Sequence, residues 1–222
     1  GTLVSGIIGG LYSSTATISV LARKSRKASE QEATDYVAAM LLAVSMMFLR
    51  FMILILIFSR EIFLSIYPYL LTMAVVAAIV AWFIHSRQKR SNDQPVEEEE
   101  DDSSNPLEFK VALIFAVLFV IFTFLTHYTL VYAGTGGLNL LSFVSGFSDI
   151  TPFILNLLQN TGSVAALIIT ACSMQAIISN IMVNMFYALF FAGKGSKLRP
   201  WILGGFGVVI ACNLVLLLFF YI

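Results

Sequence analysis

Two charges and a cluster of hydroxyls stand in stretches of this chain that are otherwise apolar. Arg50 is the only charged residue between residues 37 and 59, and by the helical rise it falls near the middle of a bilayer crossing. Asp149 sits in Ser145-Gly146-Phe147-Ser148-Asp149-Ile150-Thr151-Pro152-Phe153. A charge at membrane depth costs roughly 3 kcal/mol or more unless it is paired, hydrated or neutralised, so such residues usually line a pathway or meet a partner. Asp149 therefore reads as a cation ligand or proton carrier, or else as a helix cap near the membrane surface. Arg50 should point into the protein, toward a carboxylate, carbonyls or an anionic substrate. A static Arg50–Asp149 ion pair is the plainest alternative. Ser13, Ser14, Thr15 and Thr17 add hydroxyls that, with unwound carbonyls, can coordinate a cation. Thr151 followed by Pro152 reads as a helix cap and first helical residue, whose positive end suits an anion.

These residues lie in two segments that echo one another. Gly9-Gly10-Leu11-Tyr12-Ser13-Ser14-Thr15-Ala16-Thr17 repeats the design of the stretch around Asp149: an apolar run, a small-residue break rich in hydroxyls, then another apolar run. That pattern is expected of a helix broken inside a membrane. Paired breaks in two halves of a chain point to a binding site near the bilayer midplane. Glycine-mediated helix crossing is the competing explanation for each break taken singly.

The elements that must position these residues are helices. Of the 222 residues, 59% are hydrophobic and 12% charged, and the mean hydropathy is +0.89. Residues 62 to 84, 111 to 133, 163 to 192 and 201 to 222 carry no charge. Continuous runs of this length predict an all-α, polytopic transmembrane bundle and not a barrel of alternating strands. Zero net charge without a basic face excludes a nucleic-acid partner. Cys172 and Cys212 lie in apolar segments and read as free buried thiols. No catalytic triad, phosphate loop or metal-ligand spacing is present, so neither an enzyme nor a cofactor is expected.

Residues 1–85 and 107–222 form two repeats, joined by residues 86–106. In that linker Arg87, Lys89 and Arg90 give way to six acids, Glu97 to Asp102, which predicts a disordered cytoplasmic tether. Laying Ala43 to Phe51 on Ile177 to Met185 sets Arg50 opposite Asn184. The first repeat then lacks a partner for the helix at 107–133, and we expect that partner upstream of Gly1. The basic clusters Arg23 to Lys27, His85 to Arg90 with Lys110, and Lys194 to Arg199 all fall on the cytoplasmic side only if the broken segments enter and leave on one face. That choice makes the two repeats inverted. On the helix of residues 163–192, Ala166, Thr170, Ser173, Asn180 and Asn184 share one face. This polar stripe should face protein or water, its asparagines gluing helices or binding an ion. Gln175 points the other way, and His127 reads as an interfacial anchor.

The Gly-Gly-Leu-Tyr-Ser-Ser-Thr-Ala-Thr run with Leu21-Ala22-Arg23, the Met-Met-Phe-Leu-Arg run ending at Arg50, and Ser179-Asn180-Ile181-Met182-Val183-Asn184 resemble a known family. It is the domain of unknown function that follows an MgtC/SapB-type membrane domain in bacterial and archaeal proteins. The resemblance implies an integral protein of a prokaryotic inner membrane, with the lipid bilayer and either an upstream MgtC-like domain or a second copy of the chain as partners. A looser likeness is to carriers whose paired re-entrant hairpins coordinate sodium at their tips. The expectation is a transporter or channel-like domain that handles a small inorganic ion, with a cation as one candidate. Ser13, Ser14, Thr15, Thr17, Arg50, Asp149, Thr151, Asn180 and Asn184 would surround that ion. The rival expectation is a non-transporting scaffold or regulatory subunit in which the breaks serve helix packing.

Overall fold

The structure is a computed structural model, and it describes residues 1–28, 30–87, 106–159, 164–193 and 196–221. Most of the acidic tether, together with Lys89, Arg90 and Lys194, lies outside them. The described elements are helical: α1 (Thr2–Lys24), a short 3₁₀ turn (Ser25–Lys27), α2 (Glu30–Phe58), α3 (Arg60–Ser86), α4 (Pro106–Ser145), α5 (Ile150–Gln159), α6 (Ala166–Ala192) and α7 (Arg199–Tyr221). Six of the described helices are long and apolar enough to cross a membrane. The protein is an integral membrane protein of the helical class.

One of those six does not run straight. Ser13, inside α1, has extended torsions (φ −155°, ψ 107°), and its Oγ accepts from the Ala16 amide at 3.4 Å to start the second arm. Residues eight apart in a straight helix are about 12 Å apart along its axis. Here a β carbon built on Gly9 would lie 2.4 Å from Thr17 Oγ1, so the chain doubles back at Ser13. The first arm runs alongside α2 in the same direction, with Gly6 against Ala39 and Gly10 against Ala43. Only glycine permits that approach: a β carbon on Gly10 would come within 2.5 Å of the Ala43 Cα.

A second interruption occurs in α4 at Gly134, whose φ of +57° and ψ of −148° favour glycine strongly. The segment Gly136–Ser145 therefore departs from the long apolar helix before it. It runs alongside α6, again in the same direction. Cys172 Sγ donates to Asn139 Oδ1 at 3.5 Å, Ser142 Oγ donates to Gln175 Oε1 at 3.0 Å, and Gly146 lies against Ser179. The chain then turns into α5, which packs back on α4 through Phe153 on Phe122 (centroids 5.6 Å apart) and Asn156 Nδ2 donating to Thr123 Oγ1 at 2.8 Å.

Polar pairs fix which ends lie together. Arg26 donates from Nη2 to the Phe190 carbonyl at 3.2 Å and from Nε to the Phe191 carbonyl, which joins the end of α1 to the end of α6. His85 Nδ1 lies 2.6 Å from Asp35 Oδ1, joining the end of α3 to the start of α2. Gly205 in α7 touches Leu41 and Ile84. Arg23, Lys24, Arg26, Arg87, Lys197 and Arg199 consequently gather at one end, called the basic end below. At the opposite end, α2 gives way to α3 at Ser59, whose side chain accepts from the Ile62 amide. Deeper in the bundle, Ser45 Oγ donates to the Ala74 carbonyl at 2.8 Å and Tyr69 Oη donates to Asn213 Oδ1.

Candidate functional site

The turn of α1 at Ser13 and the turn between α4 and α5 at Gly146–Asp149 meet around one cavity of about 370 Å³. Ser13, Ser14, Thr15, Ala16 and Ser19 line it from α1, Met47 and Arg50 from α2, Phe147 to Ile150 from the second turn, and Asn180, Val183 and Tyr187 from α6. The two turns will be called the first and second tips.

Arg50 braces both. Its Nη1 donates to the Tyr12 carbonyl at 2.7 Å, at the end of the first arm of α1. Such a carbonyl is one of the acceptors a helix end leaves open, and a guanidinium suits its partial negative charge. Its Nη2 donates to Thr151 Oγ1 at 3.3 Å on α5. Its Nε is buried and has no protein acceptor among the described residues. The carboxylate of Asp149 acts on Arg50 through space, but no direct ion pair between them occurs among the described residues. The static pair is therefore not formed.

Asp149 is the cap of α5: its Oδ1 accepts from the Thr151 amide at 3.0 Å. The expectation that Thr151 caps this helix is corrected to Asp149, two residues earlier, which takes the helix-cap alternative offered for it because it reaches the open amide first. Thr151 instead turns its hydroxyl to Arg50.

The second tip is held from α6. Asn180 Nδ2 donates to the carbonyls of Gly146 at 3.2 Å and Ser148 at 3.4 Å, while Ser179 Oγ donates to the Phe143 carbonyl at 2.7 Å. Asn184 Nδ2 donates to Asn180 Oδ1 at 3.1 Å, which fixes the Asn180 amide with its donors toward the tip. Asn184 thus stands behind the cavity wall and not in it. Thr17 also lies outside the lining. Its hydroxyl donates to the Ser13 carbonyl at 2.8 Å and packs against Gly9.

Of the nine residues singled out from sequence, Ser13, Ser14, Thr15, Arg50, Asp149 and Asn180 line the cavity. Ser14 is 4% exposed, and its hydroxyl has no hydrogen bond among the described residues. The remaining stripe residues Thr170 and Ser173 are buried with hydroxyls that are likewise unpartnered among the described residues, and so face protein. Ser19 and Tyr187 join the lining as well, and each continues a polar face of its helix: Ser19 is one turn beyond Thr15, and Tyr187 two turns beyond Asn180. Met47, Phe147 and Val183 carry no polar signal and could not be read ahead. No group of three or more histidine, cysteine, aspartate or glutamate side chains clusters among the described residues. The cavity instead offers the oxygen ligands that suit hard cations.

Residues 1–192 match the model of the family described as Domain of unknown function (DUF4010). The chain belongs to this family. An uncharacterized protein of Aquifex aeolicus (strain VF5) is 24% identical over 217 residues, covering 97% of this chain and 93% of that protein. No solved structure matches this chain.

Proposed function

We propose that this DUF4010 chain is a transporter or channel-like domain built from two inverted repeats, and that it passes a small inorganic cation through the cavity between the two tips. The observation that carries this reading is the meeting of the tips from opposite ends. The first arm of α1 begins at the basic end and runs with α2; the segment Gly136–Ser145 begins at the other end and runs with α6. In both, contacting residues stand 33 apart in sequence, Gly10 with Ala43 and Gly146 with Ser179, and likewise Ser142 with Gln175. That shared register equates Gly10 with Gly146 and Ala43 with Ser179. Arg50 then corresponds to Phe186 and not to Asn184, two residues away from the pairing that sequence similarity suggests.

The sign of the ion is read from the oxygen-rich lining. Asp149 uses one carboxylate oxygen for its cap and lines the same cavity as Ser14, whose hydroxyl has no hydrogen bond among the described residues. Two of the three guanidinium nitrogens of Arg50 are committed to the Tyr12 carbonyl and Thr151, and Nε, the third, is buried. With the basic end in the cytoplasm, where Lys and Arg loops are retained, both broken segments are re-entrant and the two repeats have opposite orientation.

Thermal melting in detergent, with sodium, potassium, magnesium and chloride varied separately, tests the site. A cation at 100 times its Kd stabilises the fold by about 2.7 kcal/mol if it binds only the native state. Wild type should gain stability from one of the cations; Asp149→Asn should remain folded and lose that response, and Ser14→Ala should weaken it. A response to no ion, or one unaltered in Asp149→Asn, would instead favour a scaffold whose tips only pack.

A further inference from the structure

We propose that the ion travels between the cavity and the basic end along the seam between the Thr15–Ser19–Arg23 face of α1 and the Val183–Tyr187–Phe190 face of α6, and that Arg26 gates its mouth. This rests on the proposed function and adds a route and a gate to it.

The cavity extends in one direction only. From the level of Ser13, Arg50, Asp149 and Asn180, its lining continues to Ser19 on α1 and to Val183 and Tyr187 on α6. Each of these is nearer the basic end than the tips are, because α1 leaves Ser13 toward Lys24 and α6 leaves Asn180 toward Ala192. Toward the other end the lining stops at Ile150 on α5 and at Arg50 on α2.

The other repeat differs at one position of the seam. By the shared register, Phe51 is the counterpart of Tyr187, and Phe51 is fully buried whereas Tyr187 is half-buried and lines the cavity. Leu155, the counterpart of Ser19, is half-buried like it but stands outside the cavity lining and replaces a hydroxyl by an apolar side chain. Two similar backbone frames that differ in how one seam is filled suit a protein alternating between two access states.

The open seam ends at a contact unlike the apolar packing around it. Arg26 spans from the end of α1 to the carbonyls of Phe190 and Phe191, and the Arg23 guanidinium lies 4.3 Å from the centre of the Phe191 ring. Gly193, at φ +91°, turns the chain beside Arg26, where a β carbon would lie 3.5 Å from its Nε. Carbonyls at a helix C-terminus can be satisfied by water as well as by an arginine. The clamp can therefore be released without exposing an unsatisfied group.

The test uses the full chain with Cys172→Ala and Cys212→Ala as background. Single Ser19→Cys, Tyr187→Cys and Phe51→Cys variants are treated with an impermeant methanethiosulfonate in right-side-out and inside-out vesicles. Ser19→Cys and Tyr187→Cys should react from the basic-end face, at least about tenfold faster than Phe51→Cys, a ratio that corresponds to a modest difference in exposure free energy. Adding Arg26→Ala should speed reaction at Ser19→Cys further, and Arg26→Lys should do so less. Reaction from the opposite face, equal rates at Phe51→Cys, or indifference to Arg26→Ala would overturn the route or its gate. If Arg26→Ala does not fold, Ser19→Trp decides: it should lose cation flux, and retained flux would overturn the route. Failure of the ion site has a different signature. Sided labelling at Ser19→Cys, together with a wild-type melting temperature that sodium, potassium and magnesium salts leave unchanged, would keep a water-filled seam and reject the cation reading.

Discussion

The first tip turns on a serine whose hydroxyl caps the second arm through a long 3.4 Å contact, while the second turns on an aspartate that caps α5 at 3.0 Å. Their anchors differ too. The charged Arg50 side chain reaches from α2 to the first tip and on to the second; neutral Asn180 and Ser179 hold the second tip from α6 alone. The same packing frame thus carries one cation and one anion at different places. Had both tips carried aspartates, two carboxylates would share one cavity and repel; had both anchors been arginines, any bound cation would be opposed. The asymmetry leaves one carboxylate among the hydroxyl-bearing residues of the lining, and holds two guanidinium nitrogens on a carbonyl and a hydroxyl.

The largest effects should come from the feature the tips share, close glycine packing. Gly10→Ala would press a β carbon into the Ala43 backbone, and Gly146→Ala would press one onto Ser179 Oγ at 2.3 Å and the Asn180 amide nitrogen at 2.7 Å. Each should cost about 3 kcal/mol, at the upper range for overpacking, read as a lowered melting temperature in detergent. A variant at Gly10 that melts like wild type would break the parallel packing of α1 on α2.

Next come the anchors, where the tips differ. Arg50→Leu leaves the Tyr12 carbonyl without its charged donor and should cost about 2 to 3 kcal/mol. Asn180→Leu frees two tip carbonyls from a neutral donor and should cost about 1 to 2 kcal/mol. Because Arg50 and Asp149 share Thr151 and interact through space without a direct pair, the double variant Arg50→Leu with Asp149→Asn should depart from additivity by no more than about 1 kcal/mol. Substantial rescue in that double variant would restore the ion-pair explanation.

Smaller shifts should separate the caps. Asp149→Asn keeps a competent cap and should change stability by less than about 0.5 kcal/mol, whereas Asp149→Ala should cost about 1 kcal/mol. Ser13→Ala should cost less than Asp149→Ala, since its contact is longer. Gly204→Ala, a helical position where a β carbon meets nothing within 4 Å, should be neutral or stabilising by up to about 1 kcal/mol. Its contrast with Gly10→Ala isolates close approach from helix propensity.

Much of the helical architecture was legible because the bilayer imposes it. Uncharged runs of the length of α3 or α7 have no stable alternative in hydrocarbon, where every backbone group must be satisfied within the helix. The importance of Arg50 and Asp149 was legible for a related reason, as charges that lipid makes expensive. The stripe of Thr170, Ser173, Asn180 and Asn184 was visible from its periodicity and does turn inward. Its division of labour was not visible, because periodicity assigns Asn180 and Asn184 to one face without saying that the first meets tip carbonyls and the second meets the first.

The sequence by itself determined the class of solvent, the helical class and the residues too costly to leave in lipid, since each follows from transfer free energies and local periodicity. Only the tertiary structure decided that α1 doubles back at Ser13, that Asp149 and not Thr151 caps α5, and that Arg50 grips a carbonyl instead of Asp149. Those outcomes depend on which backbones pass within contact distance. In this protein a few glycines set that approach, among them Gly6 against Ala39, Gly10 against Ala43 and Gly146 against Ser179. A glycine in a sequence states only that approach is permitted; the helix it meets, and the register at which it meets it, come from the assembled bundle.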